Sequence, residues 1–183
     1  ITTHPSNATV NAGSNTSFTA AATGTGLTYQ WQVNTGSGFT NINNDGVYSN
    51  ATTETLNITG ATAGMSGYLY RVVVTGTGAM TTNSSSASLT VNTAPSITTH
   101  PSNPTMNAGS NTTFTAATAV NGTTHQWTAN TGSGFTNITN GGVYSGATTA
   151  ALNITGATGA MNGYTYQVVV TGTVTPAATS NTA

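Results

Sequence analysis

Residues 27–42 read LTYQWQVNTGSGFTNI, and residues 123–138 read TTHQWTANTGSGFTNI. In the first stretch Leu27, Tyr29, Trp31 and Val33 alternate with Gln30 and Gln32. A period of two places the large apolar side chains on one face and the amides on the other, the pattern of a half-buried β-strand. Gly36-Ser37-Gly38 then reads as a hairpin turn, because glycine reaches the positive-φ positions that such turns need. Phe39–Ile42 reads as a short edge strand, with Phe39 and Ile42 expected to tuck inward. TGSGFTNI recurs letter for letter at Thr131–Ile138.

Working outward, the recurrence covers the whole chain. Sliding the sequence by 96 positions aligns Ile1 with Ile97, Trp31 with Trp127 and Tyr70 with Tyr166, with no gap. About two-thirds of the overlapping positions are identical, including ITTHPSN, NAGSNT and LNITGAT. A period near 100 residues is domain-sized rather than solenoid-sized, so each copy should own a core. The expected domains are residues 1–92 and 93–183, joined through Asn92–Ser96 (NTAPS), where Pro95 favours an extended Ala94. Ala183 corresponds to Ala87, so Ser88–Val91 (SLTV) has no counterpart in the second copy. The expectation is that Leu89 and Val91 close the first copy beside Val72–Val74. The second copy should then lack its last strand beside Val168–Val170, and both ends look like cuts from a longer array.

The remaining alternations complete an all-β pattern. Phe18, Ala20 and Ala22 share one face, as do Leu56 with Ile58, and Tyr70 with Val72 and Val74. Some seven strands in such a copy match a two-sheet sandwich in size. YQW, then LxI, then GxxY before a valine strand resembles the immunoglobulin-like family. That resemblance implies tandem β-sandwich domains with Greek-key antiparallel sheets. It also implies that Trp31 and Trp127 occupy the buried strand-C tryptophan position, and that Tyr70 and Tyr166 occupy the tyrosine-corner position. The family's cysteine positions would fall near Ala20 and Val72, and near Ala116 and Val168, so small apolar packing replaces the disulfide. The fuller wording, HPSNxTxNAGSNTxFTA through GYxYxVVVTGT, resembles immunoglobulin-like repeats of secreted and surface proteins of Bacteroidetes.

Composition removes whole classes of chemistry. The ionised side chains are Arg71, Asp45 and Glu54, with no lysine and no cysteine. Disulfides, thiol catalysis, Schiff bases and cysteine-held metal are therefore excluded. Nucleic acid as a partner lacks its basic footprint. No apolar run approaches the length of a membrane helix, so membrane insertion is not expected. A hydrophobic fraction of 36% with patterned aromatics distinguishes the chain from disordered polar sequence.

Candidate sites are correspondingly few. His4 and His100 in the HPS turns and His125 offer no converging ligand set, so neither metal nor cofactor is expected. A paired-carboxylate site could arise only from Asp45 with Glu54, and the second copy has no carboxylate side chain. No catalytic residue is assigned, and the chain is read as non-enzymatic. Phe39, Tyr48, Tyr68, Phe135, Tyr144 and Tyr164 are the candidate ligand-contact aromatics, suited to glycans if exposed and otherwise packed over the sandwich ends. Asn-x-Ser/Thr sequons occur at Asn7, Asn15, Asn50, Asn57, Asn83, Asn111, Asn121, Asn137 and Asn153. The leading expectation is an extracellular stalk, spacer, adhesive module or filament subunit of a bacterial surface protein, with neighbouring repeats or like subunits as partners. The alternative is a carbohydrate-binding accessory module of a secreted polysaccharide-degrading enzyme.

Overall fold

A computed structural model describes residues 1–120 and 122–183. The chain divides into two units, Ile1–Thr93 and Ala94–Ala183. The sequon at Asn121 lies outside the described residues.

Unit 1 carries β1 (Ala8–Asn11), β2 (Thr16–Thr19), β3 (Thr28–Asn34), β4 (Phe39–Asn41), β5 (Tyr48–Ser49), β6 (Thr55–Ile58), β7 (Leu69–Thr75), β8 (Thr81–Asn83) and β9 (Ala87–Asn92). One sheet runs β1-β9-β7-β3-β4 with β8 also on β7, and the second runs β2-β6-β5. Trp31 on β3 stands opposite Val72 on β7, and Phe18 on β2 opposite Leu56 on β6. These four residues are buried, at most 1% exposed, because strand parity turns each of them into the space between the sheets. At the centre, Phe18 stacks on Tyr70 with centroids 4.7 Å apart and meets Trp31 at 6.5 Å. Ala20 is buried in the same cluster, so small apolar packing stands where a disulfide would bridge the sheets.

Unit 2 repeats this plan with β10 (Ile97–Thr99), β11 (Thr112–Thr115), β12 (Ala117–Thr118), β13 (Thr124–Asn130), β14 (Phe135–Asn137), β15 (Tyr144–Ser145), β16 (Ala151–Ile154), β17 (Thr165–Thr171) and β18 (Ala178–Thr179). Its sheets are β14-β13-β17-β18, β11-β16-β15 and the small pair β10-β12. Phe114, Trp127 and Tyr166 rebuild the aromatic centre.

Four expectations need correction. First, the strands of unit 1 number nine rather than seven, and β1 runs parallel to β9, whereas the other pairs are antiparallel.

Second, β9 does not lie beside Val72–Val74. It pairs with Leu69 and Tyr70, while β8 takes Val73–Thr75. Buried Ser84 makes the break: the N–H of Val72 donates to its Oγ at 3.0 Å, and the hydroxyl donates to the Ser85 carbonyl at 2.7 Å. A side-chain hydroxyl thereby replaces one rung of the ladder, and the chain steps from β8 to β9. Ser180 does the same for Val168 in unit 2, so the expected gap beside Val168–Val170 is absent: β18 pairs with Val169 and Val170, and Tyr166 exchanges both backbone hydrogen bonds with Ala183.

Third, Phe39 does not tuck inward. It and Ile42 are three residues apart, so an alternating strand cannot point both the same way. Ile42 is buried, Phe39 is half-buried on the outer face, and Phe135 is 38% exposed.

Fourth, the tyrosine-corner position does not bond back to nearby backbone as in immunoglobulin domains. The Tyr70 hydroxyl meets the Tyr48 hydroxyl at 3.1 Å, and Tyr166 meets Tyr144 at the same distance.

Candidate functional site

Polar side chains in both units act mainly as struts. The Asn34 Oδ1 accepts from the N–H groups of Gly36 and Gly38 at 2.8 and 3.0 Å, and Asn130 repeats this for Gly132 and Gly134. Those four glycines have φ between 102° and 122°, so the Thr-Gly-Ser-Gly phrase is explained by turn geometry. The Asn7 Oδ1 accepts from the Ser88 N–H, and Asn15 and Asn111 cap the glycines that follow β6 and β16. Three sequon asparagines are therefore structural partners of the backbone.

The histidines have the same role. His4 Nδ1 accepts from the Ser85 N–H at 3.0 Å, and His100 Nδ1 accepts from the Asn181 N–H at 3.0 Å. Each bond ties the start of a unit to the segment after its Ser84-type step. His125 stands opposite Val170 on β13 and is half-buried. Among the described residues no three His, Cys, Asp or Glu side chains gather as a metal site would require. Adding EDTA, or exchanging low for high salt, is expected to leave thermal unfolding unchanged, which calorimetry can check.

Glu54 is exposed and accepts the Tyr29 hydroxyl at 3.1 Å, while Asp45 lies in the turn before β5. Loss of hydration and the neighbouring Glu54 raise the Tyr29 phenol above its ordinary value. Among the described residues neither carboxylate side chain hydrogen-bonds a serine or a histidine, as a nucleophile–base–orienter chain would require.

Of the six candidate aromatics, Tyr48 and Tyr144 turn into the sandwich, each at about 61° to the ring of its buried partner tyrosine. Phe39 lies on the outer face of the opposite sheet, beneath the Arg71 guanidinium at 4.0 Å from the ring centroid. Arg71 Nε also donates to Gln32 Oε1 at 2.8 Å, forming a cation–π stack on a polar ladder. In unit 2 Gln167 replaces Arg71 and Thr128 replaces Gln32, so nothing cationic covers Phe135. Tyr68 and Tyr164 are half-buried just before β7 and β17. The aromatics are thus divided between the two sheets and form no single flat platform.

The buried tyrosine pairs have a measurable pH consequence. Desolvation, then the hydrogen bond each shares with its partner tyrosine, pushes the phenols of Tyr70 and Tyr166 far above their ordinary 10.0. The unfolded chain therefore loses these protons first as pH rises, so their contribution is full below about 10 and falls above it. Alkaline titration of unfolding should show stability declining above that pH. The decline should become shallower in Tyr70→Phe and Tyr166→Phe; equal slopes would contradict the assignment.

No family model matches the chain, and a search of curated proteins finds no match. Solved structures do match in fold. An I-band fragment of titin, I67–I69, superposes with a TM-score of 0.69 at 17% identity, over 98% of this chain and 62% of the fragment. The DIP-gamma IG1+IG2 structure superposes at 0.68 and 13% identity, over 97% of this chain and 91% of the other. DIP-gamma bound to Dpr11 IG1 gives 0.60 at 13% identity, over 97% and 92%. The chain spans about three-fifths of the titin fragment it resembles. Together with the sheets described above, these likenesses define the class: two tandem immunoglobulin-like β-sandwiches without disulfides.

Proposed function

We propose that the chain is a non-enzymatic structural or adhesive module, whose tandem immunoglobulin-like units serve as stalk, spacer or filament subunit of a bacterial surface protein, outside the cell. The observation that carries this reading is the duplication itself. Hydrogen-bonded turns, histidine struts, the serine step and the tyrosine pair are all rebuilt in unit 2, while the ionised side chains Arg71, Asp45 and Glu54 are not. Repetition preserves framework, and framework is what a spacer uses. The bacterial, secreted setting is supported by the resemblance of the repeat wording to Bacteroidetes surface repeats. No helix among the described residues is long and apolar enough to cross a membrane. Neighbouring immunoglobulin-like repeats or like subunits are the partners this reading favours, and the matching structure of an Ig pair bound to another Ig domain supports that class.

Single-molecule pulling on the chain between its termini tests the reading. Two unfolding events that recover on relaxation are expected, one per sandwich. A polysaccharide array should give no signal; specific glycan binding abolished by Phe39→Ala with Phe135→Ala would replace this reading with the carbohydrate-binding one.

A further inference from the structure

The segment Asn92-Thr93-Ala94-Pro95-Ser96 connects the units, and its two ends are held by different means. On the unit 1 side, Asn92 closes β9 beside Asn11, and its carbonyl accepts from the Ala12 N–H at 2.8 Å. On the unit 2 side, the Ser96 carbonyl accepts from the Ala119 N–H at 3.1 Å, and Ile97 pairs with Thr118. Pro95, which belongs to unit 2, is buried. Among the described residues no backbone hydrogen bond holds Thr93 or Ala94.

Pro95 packs on Gly172, the residue that follows β17. A methyl group placed on Gly172 would stand 3.3 Å from Pro95 Cδ and 3.6 Å from its Cγ, so the ring lies directly over bare backbone. The repeat supplies a reference for this place. The counterpart of Gly172 is Gly76, where an added methyl would stand 3.5 Å from Cδ2 of Leu27, the half-buried residue before β3. The counterpart of Leu27 is Thr123, which is shorter and polar. Unit 1 therefore covers its glycine with a leucine from its own strand connection, whereas unit 2 covers the equivalent glycine with the proline of the linker. Proline suits the role. It has no N–H to leave unpaired on burial, and its fixed φ leaves little backbone freedom to lose on docking.

We infer that Pro95 is a latch, which docks the linker on unit 2 and confines the free joint of the chain to Thr93 and Ala94. Its seat is the surface of Gly172, and the seat is open to the ring because residue 123 is threonine where unit 1 has leucine. Glycine at 172 is needed for the same reason, since a side chain there would push the ring away. With Pro95 out of its seat, the free joint runs on through Ser96. The reach and stiffness of a linker follow from how many of its residues are unconstrained, so the latch sets both. The use of the latch rests on the spacer reading, but its existence does not. Pulling reads the sandwiches and the measurements below read the joint, so either inference can fail alone.

Backbone nitrogen-15 relaxation on the full chain reads the joint residue by residue. The order parameter should dip at Thr93 and Ala94, with Ser96 and Ile97 near the value of about 0.85 found in folded backbone. Pro95→Ala removes the ring. It should lower the order parameter of Ser96 below about 0.6 and speed solvent exchange of the Ala119 amide about tenfold. Thr123→Leu supplies an independent measurement, because it places the unit 1 side chain over Gly172 and evicts the ring. Ser96 should loosen in this variant too, while unit 2 melts no lower than in the unaltered chain, a combination that a purely structural role for Pro95 does not allow. A Ser96 already as loose as Ala94 in the unaltered chain overturns the inference, as does an ordered Ser96 in either variant. Loosening in Thr123→Leu that comes with a lower melting temperature of unit 2 also overturns it, since Pro95 would then belong to that unit's core rather than latch the linker to it.

Discussion

Replacing Trp31 by alanine is expected to destabilise unit 1 by about 3–5 kcal/mol, and Trp127→Ala should act alike in unit 2. Both indoles are 0% exposed, so truncation removes a large buried surface and opens a void between the sheets. The indole N–H of Trp31 also donates to the Thr53 carbonyl at 2.9 Å, and that of Trp127 to the Thr149 carbonyl at 2.9 Å. Losing that donor leaves a carbonyl unpaired, which adds to the cost of the cavity. Neighbouring rings cannot close the void freely, because Phe18 is already stacked on Tyr70. Denaturant unfolding checks this: a loss below about 1 kcal/mol for either substitution would refute the placement of tryptophan as the core's keystone.

Unit 1 is expected to be the more stable of the two by on the order of a few kcal/mol. Val33, buried on β3, is replaced by Ala129, and the half-buried Leu27 and Tyr29 are replaced by Thr123 and His125. Each exchange removes apolar volume from the side that packs on the core. Residue-resolved amide exchange on the full chain separates the units. The Trp31 N–H, which donates to the Ala51 carbonyl, should be better protected than that of Trp127, which donates to the Ala147 carbonyl at the same 2.8 Å. Equal protection, or the reverse order, would show that unit 2 recovers by repacking what its sequence lacks.

The class of fold was legible in the sequence because the signals that specify it are local or periodic. Alternation around Trp31 defines a half-buried strand, glycine pairs define a turn, and identity at a fixed shift defines a second copy of the domain.

Where the reading failed, the deciding contact came from another part of the chain. Strand parity separates Phe39 from Ile42, and Arg71, distant in sequence, is what covers the ring of Phe39. The Tyr70–Tyr48 hydroxyl contact depends on two strands in opposite sheets, which no spacing along the chain reveals. The asparagine and histidine struts reach backbone N–H groups as far as 81 residues away, so the sequence marks the asparagines only as sequons and the histidines only as turn residues while their partners stay hidden. The displacement of β9 from the valines came from one buried serine. Ser84 looks like any other residue in Asn83-Ser84-Ser85-Ser86, yet its hydroxyl takes the Val72 N–H and redirects the strand after it. Periodicity along the chain determined which residues are apolar neighbours in a sheet. Which polar side chain completes which backbone group was decided only by the fold, because an unpaired buried N–H or carbonyl is costly and is satisfied by whatever packing brings within reach.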